Sequence, residues 1–344
     1  MDDFDRLAEQ FPCDAETVDA FLYSRDAKDA LLREQAAIRL SGGTAEFADI
    51  ELPFETAGAL RLPKQRQFHP LKLLAGVAKQ LKIYEHTRIV ELYDQRAVTD
   101  RGVTILAQRI VVATHFPFIN RRGLYPVKLY QQRSYALAIA DAEPLPGMLL
   151  DAAPNGVFLR NYGKDVILSG TGHRTGKQGR AWQPLEHAVQ RWFPHATITH
   201  RWAAQDCCTA DDVAYIGSYS SHTPGWQVAT GFNGWGMSDA LVSARLIAGK
   251  ITGQKYKESA LFSPSRSVPM KQLLVNAGES VLGLVTPTVP RCSHLGCALH
   301  WNPWEHSWDC ACHGSRFSEV GDLLHGPANH GIHTKQKETR AGDA

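Results

Sequence analysis

The chain has 344 residues, room for about two domains at roughly 100–200 residues each. Its 44% hydrophobic and 21% charged residues exclude a disordered chain. With 37 Lys and Arg against 35 Asp and Glu, the formal charge of +2 excludes a global field that would draw the protein onto nucleic acid or anionic lipid. The first residues, Met1 to Arg6, are acidic where a secretory signal is basic, and no apolar run approaches the ~18 residues of a membrane span. The expectation is a cytoplasmic protein with no nucleic-acid partner and no membrane span.

In chain order, the apolar positions Val18, Phe21, Leu22, Ala30, Leu31 and Ala36 among charges predict one or two amphipathic helices between Asp14 and Leu40. His69-Pro70 opens a helix over Leu71–Leu81, with Pro in its first turn. Strands are predicted at Lys82–Glu85, Thr87–Tyr93, Ala97–Thr99, Val103–Leu106 and Arg109–Ala113, the last reading as a buried strand. Ser134–Ile139, Gly156–Arg160 and Asp165–Ser169 read as successive strands of an antiparallel sheet. A helix follows over Leu185–Phe193. Gly225–Thr230 is then a strand leading through the Gly-rich turn Gly231–Ser238 into a helix over Asp239–Ile251, an order that points backbone N–H groups at one spot.

Residues 253–270 are rich in Lys, Ser and Pro and read as a linker. The organisation expected is 1–252, a linker at 253–270, a second domain at 271–330 and a polar tail at 331–344. Four of the seven cysteines (Cys292, Cys297, Cys310 and Cys312) and seven of the fifteen histidines fall after residue 290. They include the pairs Cys292-Ser-His294 and Cys310-Ala-Cys312-His313, each with one further cysteine. Thiolates and imidazoles in equal number suit zinc or a two-iron cluster. A common zinc finger groups its cysteines and its histidines separately, whereas here each loop offers one of each, which favours a two-iron core.

Cys292-Ser-His-Leu-Gly-Cys297 together with Cys310-Ala-Cys-His-Gly-Ser-Arg-Phe317 resembles the Rieske [2Fe-2S] motif over about 55 residues. The resemblance implies Cys292 and Cys310 on the inner iron, His294 and His313 on the outer iron, and a disulfide between Cys297 and Cys312. It also puts a hydrogen bond from Ser315 to a cluster sulfur. Ala311 stands where the family has Pro, which is expected to loosen that loop. Phe317 stands where the highest-potential relatives carry Tyr, so a potential short of the top of the Rieske range of roughly −150 to +300 mV is expected.

Gln67–Pro70, Thr87–Ile89, Val111–Pro117, Lys128–Tyr135, Asp212–Gly217 and Gly231–Ser238 resemble, in that order, segments of FAD-dependent oxidoreductases of the D-amino-acid oxidase and glycine oxidase type, in the branch with a C-terminal Rieske domain. The fold expected is α/β with an α+β substrate sheet, N-terminally truncated, plus a small all-β Rieske domain. The resemblance implies that Arg88 and Ile89 lie near the adenine, Ala113 and Thr114 near the dinucleotide, and Gly234, Trp235, Gly236 and Met237 by the isoalloxazine. The turn G-x-G-x-x-G that holds the pyrophosphate is not found; Gly170-Thr-Gly172-His-Arg-Thr-Gly176 misses it by one residue. FAD binding is therefore expected to be weak or absent. Arg133 and Tyr135 are the candidates for holding an anionic substrate.

The function expected is an oxidoreductase that passes electrons from an amine or amino-acid-like substrate through flavin to the cluster and on to an external acceptor. The alternative is a Rieske electron-transfer protein without flavin catalysis of its own.

Overall fold

The computed structural model describes residues 2–177, 179–288 and 290–334. Of the polar tail, residues 335–344 lie outside the described residues. The chain divides into two compact units, the first made of residues 1–82, 134–173 and 179–204 and the second of 83–133, 174–178 and 205–344.

The first unit is built on an eight-stranded sheet with the order Thr197–Cys208, Tyr130–Ala140, Asp165–Arg174, Val157–Tyr162, Met148–Asp151, Glu16–Ser24, Gly58–Gln67 and Glu46–Ala48. Three of these strands run on in sequence into the second unit. Glu16–Ser24 lies inside the sheet, parallel to Met148–Asp151 and antiparallel to Gly58–Gln67. This corrects the reading of Asp14–Leu40 as helix only, since the helix is confined to Lys28–Leu40. Thr17, Val18, Phe21 and Tyr23 are β-branched or aromatic and fit a pleated surface between two partners, which local helical spacing does not register. Phe21, Tyr23, Tyr135, Leu137, Ile139, Leu149 and Leu168 fill the core under the helix Gln183–Trp192, which contributes Leu185, Val189 and Trp192. Each such side chain contributes about 1.5–3 kcal/mol by leaving water.

The helix Pro70–Ala78 forms as expected, with the His69 ring accepting from the Lys72 N–H at 3.4 Å in place of an unmet first-turn partner. Lys82–Glu85 forms no strand. The near-miss glycine run serves packing: Gly170 has φ +136°, and a Cβ there would collide with the Gly156 carbonyl of the neighbouring strand.

In the second unit, Tyr215–Ser218, Trp226–Thr230 and Ile110–Val112 form a three-stranded sheet in that order, the last two parallel. Ile110–Val112 is an edge strand with Val111 45% exposed, so the strand expected to be buried covers one face only. The helix Gly236–Thr252 packs Leu246 and Ile247 on Ala214, Ile216 and Ala229. Ile89–Tyr93, Arg96–Thr99 and Thr104–Leu106 make a separate antiparallel sheet. The C-terminal region is a four-stranded antiparallel sheet of Leu299–Asn302, Ser307–Cys310, Arg316–Ser318 and Leu323–His325.

Residues 253–270, read as a linker, are tethered within this unit. The Arg266 guanidinium donates to both carboxylate oxygens of Asp211 at 2.8 and 2.7 Å and to the Ala214 carbonyl at 3.0 Å, while Phe262 packs beside Leu246 and Ile247. The helix Met270–Val285 follows directly. Polar composition there marks a segment whose side chains bond to neighbouring backbone, a role that composition alone does not distinguish from a free tether.

Candidate metal and flavin centres

Two loops of the C-terminal region fold on one plan. In the first, the Cys292 N–H donates to the Cys297 carbonyl and the Gly296 N–H to the Cys292 carbonyl, both at 2.9 Å. In the second, the Cys310 N–H donates to the Ser315 carbonyl and the Gly314 N–H to the Cys310 carbonyl, again at 2.9 Å. Gly296 and Gly314 occupy the same place with φ of +78° and +81°, a backbone state that a side chain disfavours. Each loop thus presents a cysteine and, two residues on in the first and three in the second, a histidine.

The four predicted ligands converge. The His294 and His313 rings are 4.9 Å apart and nearly perpendicular, at 88°. The Nδ1 atoms of both are buried and have no hydrogen-bond partner. A buried imidazole nitrogen without a partner is costly unless something else takes its lone pair. Burial, reinforced by His313, pushes the His294 imidazole down to about 3, and burial lowers His313 as well. Both rings are therefore neutral near pH 7, as metal ligation requires.

Cys292 and Cys310 lie within hydrogen-bond reach of each other. Cys310 titrates well below an ordinary thiol because Cys292, Cys297 and Cys312 donate to it, and the His313 backbone N–H adds to this. Cys292 is shifted up, first by donating to Cys310 and then by burial. The His294 backbone N–H and the Ser315 hydroxyl work the other way and favour its thiolate, and the Ser315 oxygen itself accepts from the Ala328 N–H at 3.0 Å. Two thiols, two neutral imidazoles with unspent nitrogens and N–H groups aimed at sulfur fit a [2Fe-2S] group held by Cys292, Cys310, His294 and His313.

The sulfurs of Cys297, Cys310 and Cys312 lie within 4.8 Å of one another. Cys297 and Cys312 stand as free thiols here, side by side, so the disulfide is within reach and unmade. The helix Met270–Val285 covers this pair. A Cβ on its Gly283 would run into Cys312 Sγ and within 3.2 Å of Cys297 Cβ.

The residues that brace the second loop were not singled out in the sequence. Arg174 donates to the carbonyls of Ala311 at 2.8 Å and Cys312 at 3.2 Å, and to Asn276 at 2.9 Å. Gln131 donates to the His313 carbonyl at 2.7 Å and Gln205 to that of Gly314 at 2.8 Å. Four successive carbonyls are thus held, so the loop expected to loosen at Ala311 is braced from outside. Gly176 allows the approach, because a Cβ there would collide with the Ala311 nitrogen. Lys128–Tyr135, which carries part of the family likeness, contains Gln131, but only folding brings it to this loop.

Arg133 and Tyr135 are spent differently from the expectation. Arg133 is 5% exposed and forms an ion pair with Glu305, its Nε 2.8 Å from Oε1, in a network that continues through Arg316 to Asp309. Tyr135 is 1% exposed within the first unit's core, its hydroxyl 3.1 Å from His173 Nε2 and its ring edge-on to Trp182. Alternation along a strand gives the face of a residue, and here that face is filled by protein.

The flavin candidates gather in part. Ile110–Val112 and Trp226–Thr230 are parallel neighbours, so Ala113 and Thr114 after one and the turn Gly231–Gly236 after the other sit at the same end of the sheet. Crevices at the carboxyl ends of parallel strands are where open α/β sheets bind ligands. Trp235 is 61% and Met237 53% exposed, and a Cβ on Gly234 or Gly236 would meet nothing within 4 Å. The helix that starts at Gly236 has no side-chain cap, leaving first-turn N–H groups open to a ligand. These residues fit the ring end of a flavin. Arg88 and Ile89 lie at the start of the separate antiparallel sheet, with the Arg88 carbonyl already accepting from the Asp100 N–H at 2.9 Å.

Parallel strand ends beside a Gly-rich turn and a Cys/His two-loop centre give the chain two candidate cofactor sites of a redox protein. Residues 1–250 match the FAD dependent oxidoreductase family and residues 269–336 the Rieske [2Fe-2S] domain. The chain belongs to the FAD dependent oxidoreductase family and carries a C-terminal Rieske domain, so it is an FAD-dependent oxidoreductase whose domains indicate FAD and a [2Fe-2S] cluster.

It is 30% identical to the Rieske 2Fe-2S iron-sulfur protein YhfW of Bacillus subtilis, over 93% of this chain and 75% of that protein. The cytochrome b6-f complex iron-sulfur subunit 2 of Nostoc sp. is 40% identical over 52 residues, 15% of this chain and 29% of that one. The glycine oxidase of Geobacillus kaustophilus shares the fold at a TM-score of 0.65 and 18% identity, over 77% of this chain and 80% of that one. Among the described residues no helix is long and apolar enough to cross a membrane.

Proposed function

We propose that the chain oxidises an amine or amino-acid-like small molecule and delivers the electrons to an external acceptor, with Cys292, Cys310, His294 and His313 holding its cluster. The observation that carries this reading is that one compact unit contains both the parallel strand ends at Ala113–Thr114 and Gly231–Gly236 and the two-loop centre. When bound, the flavin supplies a two-electron acceptor and the cluster a one-electron carrier. The chain's own contribution is placement: open backbone at Gly234 and Gly236 for a ring edge, and neutral imidazoles and sulfur-directed N–H groups at the centre. The family fold and its likeness to glycine oxidase support an amine-type substrate.

A second reading, electron transfer without substrate oxidation, is favoured by the burial of Arg133 against Glu305, which removes the expected anchor for an anionic substrate. Anaerobic mixing with a panel of amines and amino acids, followed by visible absorption, separates the two. Bleaching of flavin and iron–sulfur bands by one class of amine supports the first. Iron–sulfur bands that no amine bleaches, in protein free of flavin, overturn it in favour of the second.

A further inference from the structure

The outer edge of the His294 ring is held by a residue far away in sequence. Nε2 of His294 lies 2.6 Å from Oδ1 of Asn120, in the segment between the edge strand Ile110–Val112 and the short helix Tyr125–Lys128. Chemistry fixes the direction of this bond. The buried, partnerless Nδ1 is the atom that can give its lone pair to iron, so in the neutral ring the proton sits on Nε2 and Nε2 donates. Asn120 must then present its oxygen, which is the orientation observed. His313 is treated likewise by backbone, with the Pro126 carbonyl as its partner. The Tyr219 hydroxyl donates to the Ile119 carbonyl at 2.9 Å and pins the chain next to Asn120. Both imidazoles thus have their outer nitrogens committed by residues of the segment Asn120–Pro126, which follows the strand Ile110–Val112.

We propose that Asn120 is a positioning residue for the cluster: its Oδ1 holds the His294 Nε2–H, fixing the ring and setting how readily the cluster takes an electron. The proposal rests on the assignment of His294 as a ligand. An acceptor on the outer N–H makes the ring a stronger electron donor to its metal, which favours the oxidised state and lowers the potential. The side chain therefore acts through the ligand, with no contact to the metal required.

The test uses two near-isosteric variants of the full chain, Asn120→Leu and Asn120→Asp, with iron content, the reduced-state EPR spectrum and the midpoint potential measured on each. Asn120→Leu removes the acceptor and is expected to raise the potential and alter the pulsed-EPR couplings of one imidazole nitrogen. Asn120→Asp keeps an oxygen in place and adds charge, and is expected to lower the potential. Opposite signs are the signature, because a general disturbance of packing would move both variants the same way. If Asn120→Leu loses its iron, a pulsed-EPR change confined to one imidazole nitrogen in Asn120→Asp supports the proposal, and unchanged couplings overturn it. Potentials and couplings unchanged in both variants, or shifted in the same direction, overturn the proposal. A wild-type chain that binds iron but lacks the Rieske EPR signal overturns the ligand assignment itself, a failure visible before any variant is made.

Discussion

The first unit and the Rieske region of the second are stabilised in different ways. In the first unit a continuous apolar core of sixteen buried residues, from Phe21 to Phe193, lies against the eight-stranded sheet. In the Rieske region the buried cluster among the described residues has eight members, four of them cysteines, beside a buried ionic network of Arg133, Glu305, Arg316 and Asp309. The first core is generic, and its stability comes from apolar area that any fold could bury. The second gives half of its small core to cysteines, two of them proposed ligands, and satisfies its charges internally, so its order is coupled to what it binds.

The sharpest way to break this contrast is Cys310→Ser. Iron and the reduced-state EPR signal should be lost entirely, and hydrogen exchange should rise across residues 290–334 while the first unit's core strands stay protected. Equal loss of protection in the Tyr135–Ile139 strand would show that the two regions are not energetically separate. Glu305→Ala comes next, leaving the Arg133 and Arg316 guanidinium groups buried without a carboxylate between them. The expected loss is about 4 kcal/mol, read by denaturant melts, and it should appear as weakened cluster retention. Leu137→Ala, at a fully buried position of the first core, should cost about 3 kcal/mol and leave the EPR spectrum of the folded protein unaltered. A changed spectrum in that variant would contradict the separation from the other side.

The sequence carries the metal centre more openly than anything else, because ligand spacing is a local property. The Cys-x-His of the first loop and the Cys-x-x-His of the second each lie within four residues, and local backbone bonds complete them. Most of the strands of the oxidoreductase part are also legible from alternation and turn residues, and the helix after His69 from its Pro and its spacing. What escapes is whatever depends on partners distant in the chain. Glu16–Ser24 is a strand because two others flank it. Arg133 is taken up by a carboxylate partner 172 residues away, which its own strand does not announce. Gln131, Gln205, Arg174 and Asn120 meet the cluster loops only after folding, and nothing in their immediate neighbours announces it. The segment 253–270 shows the same limit, since Arg266 and Phe262 are anchored by residues outside it.

The carbonyls of residues 311–314 are held by Arg174, Gln131 and Gln205, and the two loops themselves share one backbone pattern closed at both ends. A frame braced in this way has few dipoles free to turn when the charge at its centre changes by one electron. The surrounding atoms then rearrange little between oxidation states, and the work of reorganisation is done once, during folding, instead of at every turnover.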